Sequence, residues 1–224
     1  MNNIGIRAES TLHRKLKEYY AAPGDELEKK IGGYYIDIVR GNMLIEIQTG
    51  NFTGIRKKLK ALLPSYQVKV VHPVYQTKYI ERKDPSGRVL SRRLSPKKEN
   101  IYKIFDELVA MPDLINEAHF TLELLLTNIE EMRVTDGKGS WRRKGVSIED
   151  RDLISVNASI PLNHKNDFLT FLPFKKGDLF TVRELSDAAA IKIYEAGRAV
   201  YCLSRMGTIE KIGKKGRWYL YGLI

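Results

Sequence analysis

The chain has 224 residues, with 38 Lys and Arg against 27 Asp and Glu, a formal net charge of +11 and an isoelectric point near 9.6. Charge this positive favours a polyanionic partner, either nucleic acid or an anionic membrane surface, and no apolar run approaches the roughly 20 residues that span a bilayer. The single cysteine, Cys202, excludes an intrachain disulfide and a multi-cysteine zinc site. The composition therefore indicates one or two domains that bind nucleic acid and no membrane.

The N-terminal third predicts a helix, a β-hairpin, a second helix and a further strand. Apolar residues recur at helical spacing between Glu9 and Tyr20. The segments Tyr34–Val39 and Met43–Gln48 have the composition of strands, and the intervening Gly41-Asn42 tolerates the positive φ of a tight turn. Phe52–Leu63 is amphipathic and basic, and Gln67–His72 follows as a strand. Strand, helix and strand in succession usually form a parallel crossover, so we expect a compact α/β core.

The middle of the chain predicts elements around two basic segments. Tyr79–Arg93 predicts a projecting hairpin that turns at Asp84–Gly87. A helix over Asn100–Val109 and a strand over Phe120–Thr127 follow, and then a basic loop over Gly139–Gly145. Both basic segments are candidate phosphate-binding surfaces, and Trp141 is available for stacking. The residues that we expect to contact DNA here are Arg88, Arg92, Arg93, Arg142 and Arg143.

The candidate chemical site lies in the predicted hairpin. Asp37 interrupts one apolar strand, and Glu46 and Gln48 interrupt the next. Because side chains alternate along a strand, Glu46 and Gln48 would share one face and look outward into a cleft, with Asp37 beside them and Ile47 on the opposite face. Two converging carboxylates suit a hard cation such as Mg²⁺ or Mn²⁺, and such an ion can polarise a scissile phosphate.

These residues resemble the PD-(D/E)XK nuclease superfamily, through Asp37 in Tyr35–Val39, through Glu46-Ile47-Gln48, and through the order of the flanking elements. The resemblance implies a restriction-endonuclease-like α/β fold, in which helices flank a mixed central sheet, and a Mg²⁺-dependent DNA endonuclease activity. It implies that Asp37 and Glu46 ligate the metal, with the Ile47 carbonyl as an additional ligand. Gln48 stands where the superfamily usually has lysine, although competence-type nucleases also carry Glu-x-Gln. Glu9 matches an auxiliary acidic residue of the first helix.

The C-terminal segment resembles a winged helix-turn-helix. Its parts are a helix over Val182–Ala190 capped by Thr181, a longer helix within Ile191–Met206, and two strands, Thr208–Ile212 and Trp218–Leu223. The resemblance implies a small α+β domain whose longer helix and basic wing contact DNA. The contact residues on the helix and wing would be Lys192, Arg198, Lys214, Lys215 and Arg217.

The predicted domains are residues 1–162, a nuclease domain with a basic hairpin over about 75–98, and residues 163–224, the winged helix. The expected substrate is duplex or branched DNA, and a homodimer would supply the two active sites needed to cut both strands. Two alternatives stay open: a DNA-binding or regulatory protein that keeps the nuclease fold without cutting, which Gln48 favours, and action on RNA.

Two missing sequence features bear on location and cofactors. The N-terminal segment contains no apolar core of the kind that marks a secretory signal, so we expect a cytoplasmic protein, associated with the nucleoid if its source is bacterial or archaeal. The motif Gly-x-x-x-x-Gly-Lys-Ser/Thr, which cradles nucleotide phosphates, does not occur. We therefore expect no nucleotide cofactor.

Overall fold

The computed structural model describes residues 9–139 and 141–224, which form a mixed α/β structure. The α-helices are α1 (Thr11–Tyr20), α2 (Arg56–Leu62), α3 (Ile104–Leu108), α4 (Val182–Ala188) and α5 (Ile193–Met206). The strands are β1 (Glu26–Ile31), β2 (Tyr34–Arg40), β3 (Met43–Ile47), β4 (Gln67–Lys83), β5 (Val89–Leu94), β6 (Phe120–Thr135), β7 (Val146–Leu162), β8 (Leu179–Phe180), β9 (Ile209–Lys215) and β10 (Trp218–Leu223). Within the described ranges, none of the helices has the length and apolarity that a bilayer crossing needs.

The main sheet is mixed and has the strand order β1-β2-β3-β4-β6-β7, with β5 paired to β4. Strands β1, β2 and β3 are antiparallel, β3, β4 and β6 are parallel, and β7 runs antiparallel to β6. The hairpin β2–β3 and the crossover from β3 through α2 to β4 confirm two predictions. In that crossover Glu46 pairs with Val70 and Ile47 with Val71.

Helix α1 covers one face of the main sheet. Leu12 and Leu16 are fully buried there against Ile45 and Ile47. The helix begins at Thr11, so the prediction that Glu9 belongs to it was wrong. Ser10 is the N-cap, because its side chain accepts a hydrogen bond from the backbone N–H of His13 at 3.3 Å. A serine at this position marks the start of a helix.

The opposite face is covered by α2, α3 and the C-terminal elements, which share one apolar core. Leu59 of α2 and Phe105 of α3 are fully buried in the same cluster as Phe180 and Leu203. Because this cluster is shared, the C-terminal segment packs directly on the sheet-bearing segment. Strand β7 ends at Leu162, the boundary of the two predicted domains.

Strands β4 and β6 are far longer than predicted. Strands β4 and β6 stay paired from Val68↔Phe120 to Lys83↔Val134, and β7 follows β6 to its end. With β5, they extend the sheet beyond the core. We call this extension, together with the loop that connects β6 to β7, the arm; it comprises residues 76–95, 128–139 and 141–155, and its tip is the β4–β5 turn with that loop. The predicted turn at its end is confirmed, since the Gly87 N–H donates to the Asp84 carbonyl at 3.0 Å.

The sequence reading also missed two strands, β1 and β7. Both lie at sheet edges and carry many polar residues, because an edge strand exposed to water does not need an apolar pattern. In strand β1, Glu28 has a positive φ of 53°, and it interrupts the pairing with β2 without shifting the register on either side.

The C-terminal segment contains α4, α5 and a three-stranded sheet of order β8-β10-β9. The predicted cap of α4 is confirmed as a capping box, because Thr181 and Glu184 each accept from the other's backbone N–H. Gly207 ends α5 as predicted, with a left-handed φ of 71°. Helix α5 starts only at Ile193, with Lys192 as its N-cap residue.

Candidate active site

Asp37 and Glu46 lie on adjacent strands and face each other. The register that pairs Ile38 with Ile45 places Asp37 opposite Glu46. The Asp37 side chain accepts a hydrogen bond from the Ile47 backbone N–H at 2.7 Å. The two predicted carboxylates therefore converge at the β2–β3 junction.

Glu46 does not look outward into a cleft, and in this respect the prediction was wrong. It is only 4% exposed, because helix α2 covers the face of β3 on which it lies. Burial, with the nearby charge of Asp37, raises the pKa of Glu46 to about 7 against the opposing effect of Lys58. The Nζ atom of Lys58 lies 2.5 Å from Oε1 of Glu46 and also donates to the Tyr35 carbonyl.

Asp37 is held from the other side by a chain of alternating charges. Nε2 of His13 lies 3.3 Å from the Asp37 carboxylate, and Nδ1 of the same ring lies 2.5 Å from Glu9. Lys17 then pairs with Glu9 at 2.8 Å and with Glu28. We call Glu9, His13, Asp37, Glu46 and Lys58 the carboxylate corner.

The charges in this chain set the protonation of His13. Burial lowers the pKa of His13, but Asp37 and Glu9 together raise it to about 9. Burial likewise raises the pKa of Asp37, but the hydrogen bonds from His13 and Ile47 and the charge of Lys58 hold it below its ordinary value. At neutral pH the corner therefore contains an imidazolium that bridges two carboxylates.

Gln48 takes a different position from the one predicted. Its Nε2 donates to the carbonyls of Gly50 at 3.2 Å and Asn51 at 2.9 Å, so the carboxamide ties down the loop after β3. The Gln48 carbonyl accepts from the ring of His72 at 2.7 Å, and burial lowers the pKa of that ring. A neutral His72 therefore fixes the backbone next to the site.

Sequence reasoning missed Lys58 and undervalued His13. The signal for His13 was its distance of one helical turn from Glu9, which is the spacing at which side chains on a helix meet. Lys58 is one of several lysines on the basic side of α2, and only the sheet packing singles it out. The positive charge near Glu46 thus comes from the helix and not from position 48.

A polar cavity of about 310 Å³ opens next to the corner. Strands β3 and β5 pair along β4 at Gln67–Val71 and Tyr79–Lys83, and the cavity lies along the stretch between them. Most of its lining side chains are ionisable or polar, and they include His72, Tyr75, Lys97, Glu99, Lys103 and Arg151. The arm begins on the far side of this cavity.

The ten predicted DNA-contacting residues are all exposed, but three of them are engaged within the chain. Arg92 pairs with Glu130 at 2.6 Å, Arg198 with Asp106 at 2.6 Å, and Lys215 with Glu184 at 2.8 Å. In the part of the chain that the structure describes, the others form no ion pair: Arg88, Arg93, Arg142, Arg143, Lys192, Lys214 and Arg217.

The helix expected to read DNA, α5, packs along α3. The Sγ atom of Cys202 contacts the Phe105 carbonyl at 3.9 Å, and Lys103 pairs with Glu195 at 3.1 Å. Arg198 turns toward α3 through its contact with Asp106. Lys214 and Lys215 lie within β9, and the tip of the wing is Gly216-Arg217.

Comparison with known proteins gives a family without an assigned activity. The family described as "Domain of unknown function (DUF8091)" matches residues 10–163. An uncharacterized protein of Treponema pallidum (strain Nichols) is 31% identical over 225 residues, which cover 97% of this chain and 86% of that protein. No solved structure is significantly similar.

Proposed function

The chain belongs to the DUF8091 family, and we propose that it is a metal-dependent deoxyribonuclease with a restriction-endonuclease-like core. The order α1, β2, β3, α2, β4 is the order expected for that core. The C-terminal segment, with two helices and a three-stranded sheet, would be the winged helix that helps to engage DNA. The polyanion would be attracted by the net charge of +11.

The observation that carries the proposal is the burial of Glu46 directly opposite Asp37. Two carboxylates in one partly desolvated place repel each other, and this repulsion contributes to the raised pKa of Glu46. A divalent cation would relieve it, because carboxylate oxygens are the ligands that Mg²⁺ and Mn²⁺ prefer. Asp37 and Glu46 would hold the ion, with the Ile47 carbonyl as a further ligand. When bound, the ion would polarise a phosphate and lower the pKa of water.

The other residues of the corner have separate roles in this proposal. His13 orients the Asp37 carboxylate through its 3.3 Å contact, and Glu9 supports it by keeping His13 charged. Gln48, at the position where the superfamily usually has lysine, carries no charge and is hydrogen-bonded to the loop after β3. In its place, Lys58 of α2 supplies the positive charge beside Glu46. In the presence of substrate its ammonium would be available to a phosphate oxygen.

The test is cleavage of supercoiled plasmid and of end-labelled duplex DNA with Mg²⁺ or Mn²⁺, comparing the unmodified protein with Glu46→Ala. Glu210→Ala is the matched control, because Glu210 is an exposed acid on β9. We expect metal-dependent nicking that Glu46→Ala reduces at least about 100-fold, as for loss of a group that holds a catalytic metal. Equal activity in the two variants would overturn the assignment of the site.

A non-catalytic DNA-binding protein is the second candidate, and the position of Gln48 favours it. Its carboxamide is occupied by Gly50 and Asn51. Among the residues that the structure describes, no group of three or more His, Cys, Asp and Glu side chains has the arrangement of a metal site. Salt-sensitive DNA binding without turnover of DNA or of sequence-matched RNA would favour this candidate. Cleavage of the RNA alone would move the substrate to RNA.

A further inference from the structure

We propose that the arm holds the duplex about one helical turn away from the cleavage site, so that the protein needs duplex DNA on the arm side of the cut. This inference rests on the proposed function. It goes further by naming a minimum substrate length and by assigning the arm the role of a spacer. Four properties of the arm support this role: its length, its direction, its stiffness and its charge.

The length follows from β4. This strand is continuous from Val70, which pairs with Glu46, to Lys83, which pairs with Val134 at the end of β6. At about 3.3 Å per residue the strand measures about 40 Å along its path, which is an upper limit for the straight distance because the pairing with β6 is irregular between Tyr75 and Thr77. Since B-DNA rises about 3.4 Å per base pair, this corresponds to about 12 base pairs.

The direction follows from the edge of β4. Strand β3 pairs with this edge of β4 up to Val71, and β5 pairs with the same edge from Tyr79 onward. The arm therefore continues the sheet in the direction in which β3 points beyond Glu46. The polar cavity lies between the two strands, so a duplex over the corner would cross it before reaching the arm.

The root of the arm is built to stay stiff. Glu131 is only 1% exposed and is surrounded by Lys78 at 3.5 Å, Arg133 at 2.6 Å and Arg151 at 3.1 Å. These cations come from three different strands, so the buried carboxylate ties β4, β6 and β7 together. A stiff root keeps the distance between the tip and the corner constant.

The tip of the arm exposes cations, because its acids are occupied by the turns. Asp84 accepts from the hydroxyl and N–H of Ser86, and Asp136 accepts from the Lys138 N–H and the Ser147 hydroxyl. These hydrogen bonds hold the pKa of both acids below the ordinary value. Within the described residues, the cations of the tip form no ion pair: Arg88, Lys138, Arg142, Arg143 and Lys144.

An exposed aromatic ring completes the tip. Trp141 is 83% exposed, the largest value among the exposed large apolar side chains, and the guanidinium of Arg142 lies 5.5 Å from its ring. Exposed guanidinium and ammonium groups bind phosphates, and an aromatic ring beside them can stack on a base or a sugar. The exposed cations of the tip match the regularly spaced phosphates of a duplex backbone, and the Trp141 ring can pack against a sugar beside them.

The first test measures binding of fluorescein-labelled blunt duplexes of several lengths by anisotropy, in Ca²⁺ to prevent cleavage. Eight base pairs cannot span both the corner and the tip, whereas 20 can. We expect Arg88→Ala/Arg142→Ala/Arg143→Ala to weaken binding of the 20-base-pair duplex at least 10-fold and that of the 8-base-pair duplex less than 3-fold. For the 20-base-pair duplex, the slope of log binding constant against log salt concentration should fall in magnitude by about 2–3 in this variant, because each lost phosphate contact contributes about 0.9.

The matched control removes three exposed lysines that lie outside the arm, at Lys29, Lys60 and Lys176. It loses the same formal charge, so a general electrostatic effect would weaken binding equally in the two triple variants. If the control loses as much affinity for the 20-base-pair duplex as the arm variant does, the proposal for the arm is wrong.

The second test maps cleavage on an end-labelled 40-base-pair duplex. We expect the unmodified protein to leave about 10–12 base pairs uncut on the arm side, and the arm triple variant to cut within that interval. If the unmodified protein and the arm triple variant both cut close to both ends, the role of the arm is wrong while the nuclease activity stands. Absence of cleavage, with the length-dependent loss of binding retained, would overturn the nuclease and keep the contact between arm and duplex.

Discussion

In the carboxylate corner every charged group has an oppositely charged neighbour, and all but Glu9 are at least partly buried, whereas the tip of the arm exposes its cations to water. Glu46 is 4% exposed beside Lys58, while Arg142 and Arg143 are exposed. Buried pairs depend strongly on each partner, because a lone buried charge is costly. Exposed cations contribute little to stability and act at a distance on polyanions. The two regions should therefore respond to substitution in opposite ways.

The largest expected effect on folding is that of Lys58→Ala. Removal of the ammonium leaves Glu46 buried without its cation, so the free energy of unfolding should fall by about 3 kcal/mol at pH 8. Urea denaturation of this variant and of Lys57→Ala, an exposed neighbour on α2, measures the difference. Combining Lys58→Met with Glu46→Gln should recover most of the loss, and failure to recover would contradict the attribution of the loss to the unpaired Glu46 carboxylate.

Glu131→Gln tests whether the root of the arm behaves like the corner. Three cations then lose their common carboxylate, and we expect a loss of about 2–3 kcal/mol. Hydrogen exchange should locate the loss in the arm portions of β4, β6 and β7. Glu130→Gln is the control, because Glu130 contacts only the exposed Arg92 in the described structure. Uniform loss of protection over the whole sheet would contradict a role confined to the arm.

The third prediction concerns pH. The pKa of His13 is about 9 in the folded protein and 6.5 when unfolded, so its contribution is fully present below pH 6.5 and is lost as the pH rises through 9. Between pH 6.5 and 9.5 this lowers the free energy of unfolding by about 3 kcal/mol, and ionisation of Glu46, whose pKa is about 7, removes about 1 kcal/mol more. His13→Gln should keep only the smaller of these two losses. A ring that titrates near 6.5 by NMR in the folded protein would refute the bridge between Asp37 and Glu9.

The smallest effect on stability is expected for Arg92→Ala, on the exposed side of the arm. Its guanidinium lies 4.4 Å from the ring of Tyr79 and pairs with Glu130, but exposed contacts of this kind stabilise little. We expect an unchanged thermal midpoint and DNA affinity reduced by about 3-fold, corresponding to one phosphate contact. A clearly lowered midpoint would show that the arm, like the corner, depends on its ion pairs.

The core elements could be predicted because their patterns are local. The β-branched residues Ile36, Ile38 and Val39 around Asp37 mark a strand buried on both faces, and the helical spacing of Leu12 and Leu16 follows from burial on one face of α1. The capping residue Thr181 and the terminating Gly207 also act within one turn of their helices. Such signals need no knowledge of the partners across the sheet.

The extent of β4, β6 and β7 could not be predicted in the same way. Their distal halves carry polar side chains on both faces and bury few residues, and their charges compensate across strands, as Glu131 does with Lys78 and Arg151. A pattern of apolar residues therefore stops where the core stops, although the backbone pairing continues. Strand β1 was missed for the same reason.

The sequence by itself determined the α/β class, the hairpin that brings Asp37 and Glu46 together, the crossover to β4 and the helices of the C-terminal segment. Each of these depends on residues close together in the chain. Only the tertiary structure decided that Glu46 is buried, that Lys58 and not Gln48 places a cation beside it, and that α5 packs on α3. Those outcomes depend on which helix covers which face of the sheet, and desolvation and charge pairing act on that arrangement rather than on sequence order.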